Sequence, residues 1–236
     1  YVASRPKCTL HWGQRKLLLC EIEFLTNYST SGDVVIYAGA APGIHMDLLS
    51  ELFPHLRFIL VDPIDFVCGP IEDRITIRQE YFTDRLAREL KQTFACACCN
   101  SSNIDVDVDV DGSRNNSGDN GSSYNGPFDE HHRCRHENDE DHHRHNHRNP
   151  LLFISDIRRD ARNETMIMED MAMQARWHKI LNPRHSMLKF RLPWTPGTTR
   201  YLNGTIMLPV WGPQTTTETR LIVHGSDDER EYDHMR

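Results

Sequence analysis

The sequence predicts an α/β fold built on a doubly wound, mostly parallel sheet. Three observations carry this expectation. Short apolar runs alternate with amphipathic stretches of helical period, the pattern of repeated βαβ units. Residues 34–49, Val-Val-Ile-Tyr-Ala-Gly-Ala-Ala-Pro-Gly-Ile-His-Met-Asp-Leu-Leu, pass from an apolar run through a small-residue turn into an amphipathic stretch, which reads as strand, tight loop and helix N-terminus. Two acids, Asp62 and Asp156, each close an apolar run, and they fall at the strand ends where such sheets bind ligands.

The elements follow in order. Residues 16–27 read as a helix, because Leu17, Leu18, Cys20, Ile22, Phe24 and Leu25 form a broad apolar stripe. Residues 33–38 are the first strand and 44–53 the next helix; 57–62 and 74–78 are strands, followed by a helix near 83–92. After the insertion discussed below, 151–156 is an apolar strand, and 163–181 is a helix with Ile167, Met171, Ala175 and Ile180 on one face. Residues 186–192, 205–208 and 219–223 read as the remaining strands. The stretch from Gly225, including the charged tail 227–236, is expected to fray.

Between 95 and 150 the composition shifts to Asn, Ser, Asp, Gly and His with a repeated Asp-Val. Too few large apolar residues remain there to offset ordering entropy, so the segment reads as a low-complexity, disordered insertion. The domain is then residues 1–94 plus 151–226. The chain's formal charge of −7 argues at first against a nucleic-acid partner. The insertion accounts for −6 and the tail 227–236 for −3, which leaves +2 on the body. A near-neutral body permits a local RNA-binding surface. No run approaches the ~20 apolar residues of a membrane span, and no leader peptide opens the chain, although Tyr1 is not a start methionine. Seven cysteines, three of them crowded at 96, 98 and 99, argue against a disulfide framework and for a reducing compartment. Seven histidines lie within 131–147, near Cys134. Their spacing is irregular, so a solvated low-complexity loop explains them better than a zinc site, and no metal is expected.

Gly39 and Gly43 let the turn's backbone approach a ligand closely, beside the free N–H groups of the following helix. The turn lacks the third glycine of a dinucleotide fingerprint and the Gly-Lys-Ser/Thr of a phosphate loop. Gly-x-x-Pro-Gly suits an adenosyl ligand without pyrophosphate, S-adenosylmethionine first; an ordinary βα turn is the alternative. Asp62 can hold ribose hydroxyls. Four further residues carry ionisable groups of interest: Lys16, Asp156, Lys189 and Glu218. Lys189 lies in Met187-Leu188-Lys189-Phe190, and a lysine among apolar neighbours is rarely buried unless paired. Desolvation and a second ammonium, Lys16, would weaken its hold on the proton, with Asp156 and Glu218 orienting it. Such a lysine can take a proton from an alcohol. From spacing alone, an edge strand with Lys189 in water is the simpler reading.

Five ordered segments change that balance: His11-Trp12-Gly13-Gln14-Arg15-Lys16-Leu17-Leu18-Leu19, Tyr37-Ala38-Gly39-Ala40-Ala41-Pro42-Gly43-Ile44-His45, Ile154-Ser155-Asp156-Ile157-Arg158, Leu188-Lys189-Phe190-Arg191-Leu192-Pro193-Trp194 and Glu218-Thr219-Arg220-Leu221. Together they resemble the poxvirus cap-specific mRNA (nucleoside-2′-O-)-methyltransferase family, which also supplies the stimulatory subunit of poly(A) polymerase. The resemblance covers about 11–94 and 151–223. It implies a Rossmann-like class I methyltransferase fold and S-adenosyl-L-methionine as cofactor. The implied partners are capped mRNA and a poly(A) polymerase catalytic subunit, and the implied setting is a large DNA virus replicating in cytoplasm.

The family's Lys-Asp-Lys-Glu tetrad would be Lys16, Asp156, Lys189 and Glu218 here. Lys189 would deprotonate or steer the ribose 2′-OH while the other three position it. Cofactor contacts carry over to Gln14, Tyr37, Gly39, Ala41, Pro42, Gly43, His45, Asp62 and Phe82, with Asp156 near the methionine amine. Phe82 has core packing as its alternative. Trp194 stands where the family places one aromatic of the 7-methylguanine clamp; Tyr1 is the only upstream aromatic before the matched segment. The departures are specific. The family's arginine after the strand-two acid is Ile64, its guanine-reading acid is replaced by Thr195-Pro196, and a tyrosine expected before Glu218 is Thr215. Trp211 matches an aromatic position and reads as core. Internal ribose methylation and a non-catalytic RNA-binding or processivity role are the alternatives.

Overall fold

The structure, a computed structural model, describes residues 12–94, 149–209 and 219–235, with the side chains of Trp12 and Gly13 left aside. Its elements run α1 (Trp12–Tyr28), β1 (Val34–Ala38), α2 (Met46–Leu52), β2 (Arg57–Val61), β3 (Ile75–Arg78), α3 (Asp84–Phe94), β4 (Leu151–Ser155), α4 (Glu164–Leu181), β5 (His185–Phe190), β6 (Thr198–Leu202), β7 (Thr205–Met207), β8 (Thr219–Val223) and β9 (Glu229–Asp233). Seven strands form one sheet in the order β3-β2-β1-β4-β5-β8-β7. The first five are parallel, and β8 runs antiparallel to both of its neighbours. This is the doubly wound, mostly parallel α/β sheet that the alternating pattern implies.

Helices cover both faces, which is why the central strands are apolar throughout rather than alternating. Every residue of β1 is buried. Val34, Ile36 and Ala38 join a core with α3 and α4, whereas Val35 and Tyr37 join a second core with α1 and α2. In β4, Leu151 and Phe153 face the first core, and Leu152 and Ile154 the second. The chain leaves β1 toward β2 and leaves β4 toward β5, on opposite sides. The crevice between β1 and β4 is therefore the topological switch point, where doubly wound sheets bind ligands.

Helix α4 is capped at both ends. Asn163 Oδ1 accepts from the Met166 N–H at 3.2 Å, and Asn182 adopts a left-handed conformation (φ 48°) at the C-terminus.

Two strands go beyond the elements that periodicity predicts. β6 and β9 pair antiparallel in a separate ribbon. The stretch after Gly225 is thus not frayed as expected. Its anchor is Tyr232, 5% exposed, whose ring lies 5.0 Å from Phe190 and whose hydroxyl donates to Leu202 O at 2.7 Å. One aromatic side chain orders a segment whose charge pattern argues for solvent. Residues 95–148 of the insertion lie outside the described residues, as do Tyr1, Trp211, Thr215 and Glu218.

Candidate active site at the sheet's switch point

The turn after β1 is tied down by the end of β2. Asp62, 9% exposed, accepts from the Ala41 N–H at 3.2 Å through Oδ2 and from the Ile64 N–H at 3.0 Å through Oδ1. Gly39 has φ +80°, and a Cβ there would meet Ile157 N at 3.1 Å and the Asp156 carbonyl carbon at 3.2 Å. Its missing side chain lets the turn close against the residues after β4. Gly43 has φ +68°, and a Cβ there would press on Cys68 Sγ at 2.7 Å. Both positions need glycine for conformation and for close packing within the chain. Ala41 and Pro42 form the turn's tip through a cis bond.

β5 lies between β4 and β8, so Lys189 is inside the sheet and its side chain is only 12% exposed. The edge-strand reading does not hold. Its Nζ is 3.1 Å from Asp156 Oδ1. Across the antiparallel ladder Lys189 pairs with Arg220, and like charges facing each other on a ladder repel. Asp156 relieves this, because the same Oδ1 accepts from Arg220 NH2 at 2.7 Å.

Arg220 is a site residue that spacing does not single out. Its side chain is buried within β8, with NH1 donating to Thr219 O at 3.2 Å. Its sequence signal is weak, because Arg220 only borders the apolar run Leu221-Ile222-Val223 and follows Thr-Thr-Thr-Glu-Thr.

Gln174 is a second. β4 pairs with β5 only as far as Ser155 and Leu188, so the Lys189 backbone has no strand partner on that side. The fully buried Gln174 amide on α4 takes that role. Its Oε1 accepts from Lys189 N at 3.1 Å, and its Nε2 donates to Lys189 O at 3.3 Å. Asp170 and His178 flank it at helical spacing on the same buried face. Asp170 pairs with Arg159 Nε at 2.5 Å, and His178 Nδ1 lies 2.7 Å from Ser186 Oγ of β5. Gln174 and His178 thus fix α4 against the strand that carries Lys189, and Asp170 ties the same face to the loop after β4.

α1 carries Gln14 and Lys16. Burial pushes the Cys20 thiol up to about 11, with Arg220 lowering it. Part-exposed Lys16 lies one turn before Cys20 on the same helix. Gln14 Oε1, His45 Nδ1 and Arg220 Nε are buried without a hydrogen-bond partner among the described residues. Unmet buried donors and acceptors are open to a polar ligand.

Two of the sequence-predicted contacts face inward. Tyr37 is fully buried, and its hydroxyl donates to Glu21 Oε1 at 2.5 Å. The Phe82 ring packs in the core, 5.7 Å from Phe153 and 4.9 Å from Trp177.

Beyond Lys189 opens a cavity of about 410 Å³, lined by Arg158, Ala161, Arg162, Glu164, Lys189, Arg191 and Trp194. Four cations against one carboxylate give it a positive field suited to phosphates. Trp194 is 63% exposed, with the Arg191 guanidinium 5.5 Å from its ring centroid. No group of three or more His, Cys, Asp or Glu placed to hold a metal occurs among the described residues.

A family model for the poly A polymerase regulatory subunit matches residues 3–117 and 131–235. The chain belongs to this family. The family match contains every site residue described above and runs through β9, beyond the segment where the sequence resemblance ends. Among solved structures, bluetongue virus VP4, described as a multifunctional RNA-capping production line, is 13% identical at a TM-score of 0.49. The alignment covers 91% of this chain and 26% of that one, so the chain spans about a quarter of the viral protein's length. No curated protein sequence matches. No helix among the described residues is long and apolar enough to cross a membrane.

Proposed function

We propose that this chain transfers a methyl group from S-adenosylmethionine to a ribose 2′-OH of RNA, at the first transcribed nucleotide of capped mRNA. The observation that carries the reading is a lysine inside the sheet, ion-paired to the acid beside the glycine turn and opening on a basic cavity with an exposed tryptophan. The cofactor, when bound, supplies a methyl carbon already activated by the sulfonium.

Everything else is the protein's work. Asp62 offers a carboxylate to ribose hydroxyls, while Gln14 Oε1 and Asp156 offer acceptors to an amine. The turn from Gly39 through Ala41, Pro42 and Gly43 to His45 forms the wall beside them. On the acceptor side, Arg158, Arg162 and Arg191 hold RNA phosphates. Trp194 stacks on the positively charged base of the cap. Lys189 then steers the 2′-OH and, in its neutral amine form, takes the hydroxyl proton as the oxygen bonds to the methyl carbon and the methyl–sulfur bond breaks, the neutral thioether leaving. Asp156 fixes the Lys189 amine, and Lys16 and Glu218 complete the tetrad. Most of the acceleration comes from alignment, because both reactants are held in attacking geometry.

The family description also favours a second role, as a regulatory subunit of a poly(A) polymerase. A single assay separates the readings. Short capped and uncapped RNAs are incubated with labelled cofactor, and the labelled ribose is mapped. Cap-dependent label on the first nucleotide supports the proposal, and cap-indifferent label points to internal ribose methylation. RNA binding without transfer leaves only the polymerase role.

A further inference from the structure

Glu21 places a carboxyl group where polar groups are costly to bury. It lies on α1 with no exposure, among the apolar side chains between α1, α2 and the sheet. A carboxylate so buried needs strong partners, and it has two. Its Oε1 accepts from the Tyr37 hydroxyl of β1 at 2.5 Å and from His45 Nε2 at 3.1 Å, and its Oε2 lies 2.9 Å from the same nitrogen. His45 is the N-cap residue of α2, two residues past Gly43. One carboxylate therefore joins the helix carrying Gln14 and Lys16, the strand entering the glycine turn and the first residue leaving it. An apolar trio would fill the same space without the desolvation cost, so what the charged trio adds is a fixed register between these three elements.

We propose that Glu21 is a positioning residue for methyl transfer, clamping the Lys16-bearing helix to the glycine turn through Tyr37 and His45, with the charge on His45 setting how firmly the clamp holds. The role in transfer rests on the function proposed above. Burial alone pulls the His45 imidazole down, but the hydrogen bond and charge of Glu21, then the charge of Asp156, outweigh it and the net shift is upward from 6.5. The charged groups facing His45 are Glu21 from α1 and Asp156 from the end of β4, with the Tyr37 hydroxyl of β1 sharing the acceptor. A raised histidine contributes stability fully below its ordinary value and loses that contribution as pH rises through the folded one. The clamp is therefore tightest on the acidic side and relaxes as His45 becomes neutral.

The test compares the full chain with Glu21→Gln, which keeps the shape and removes the charge, and with Tyr37→Phe. Three quantities are read: the His45 titration by NMR, hydrogen exchange of the α1 amides, and single-turnover methyl transfer to capped RNA. In Glu21→Gln, His45 is expected to titrate lower and α1 amides to exchange faster. Transfer should fall about tenfold or more, the scale of a small misplacement of reacting groups. S-adenosylhomocysteine affinity, read by calorimetry, should stay within about threefold, because no cofactor contact is removed. If Glu21→Gln does not fold, Tyr37→Phe is read by α1 exchange and transfer, which should change in the same directions, while its Glu21–His45 pair stays and the His45 titration should not fall. Unchanged α1 exchange and an unchanged transfer rate in a folded variant overturn the proposal. If the parent chain transfers no methyl at all, the proposed function fails, and the clamp is judged by the titration and the exchange alone: no change in either overturns it.

Discussion

Lys189 Nζ lies 3.1 Å from Asp156 Oδ1, inside a sheet where Arg220 is its cross-strand partner and shares that same oxygen. Two cations face each other across a ladder, and one acid at the end of β4 makes the arrangement tolerable. The pairing also fixes where the lysine amine points, toward the strand end beside the glycine turn.

Asp156→Asn should therefore be strongly destabilising, because it leaves two buried cations unmatched. A loss of about 3 kcal/mol in urea unfolding is expected from breaking a buried pair. Removing one cation as well, in Asp156→Asn with Arg220→Met, should recover about 1 kcal/mol or more. Additive losses in the double variant would show that Arg220 and Asp156 are not coupled.

Gln174→Leu fills the same space but leaves the Lys189 N–H and C=O without partners. The expected cost is about 2 kcal/mol of stability, with a fall in transfer rate larger than the fall in RNA affinity. Wild-type thermal stability in this variant would mean that the amide is not standing in for the missing strand.

His178 supplies a pH dependence of stability. Burial lowers its titration below the ordinary 6.5, only partly countered by Ser226 O and Asp227, with Lys179 lowering it further. The unfolded chain then binds the proton first. Stability from this residue is complete above pH 6.5 and is lost as pH falls through the folded value. Melting temperatures measured from pH 7 down to 5 should drop more steeply in the parent than in His178→Gln. Parallel curves would remove His178 as the cause.

How much of this was legible in the sequence depends on what each residue packs against. β1, its turn, Asp62 and the Asp156 strand end announce themselves as an apolar run closed by small residues or an acid, because the sheet is covered on both faces. Lys189 stands out as a cation among apolar neighbours. Arg220 merely borders an apolar run, and only the antiparallel register sets it opposite Lys189, which spacing does not carry. Glu21 and Gln174 lie within the apolar stripes of their helices, Glu21 next to Cys20 and one turn before Phe24 and Leu25 on the same face. A polar residue in such a stripe is a readable sign of a buried bond, though its partner is set by tertiary contact. β6 and β9 have no apolar alternation, and their pairing depends on Tyr201 and Tyr232 reaching α4 and the ribbon's own backbone.

Residues 97–148 are low in large apolar side chains, so they can add little to a core. Their deletion from the full chain should leave the melting temperature within a few degrees and transfer within about twofold, since the closure cost of such loops varies slowly with length. A collapse of either would show the segment to be part of the working structure.

The most direct test of the account is single-turnover methyl transfer to capped RNA by Lys189→Ala, run beside an RNA-binding measurement on the same preparation. Loss of the group that receives the 2′-OH proton should slow transfer by at least about 100-fold while RNA affinity changes only a few-fold. A folded Lys189→Ala protein that still turns over near the parent rate would contradict it.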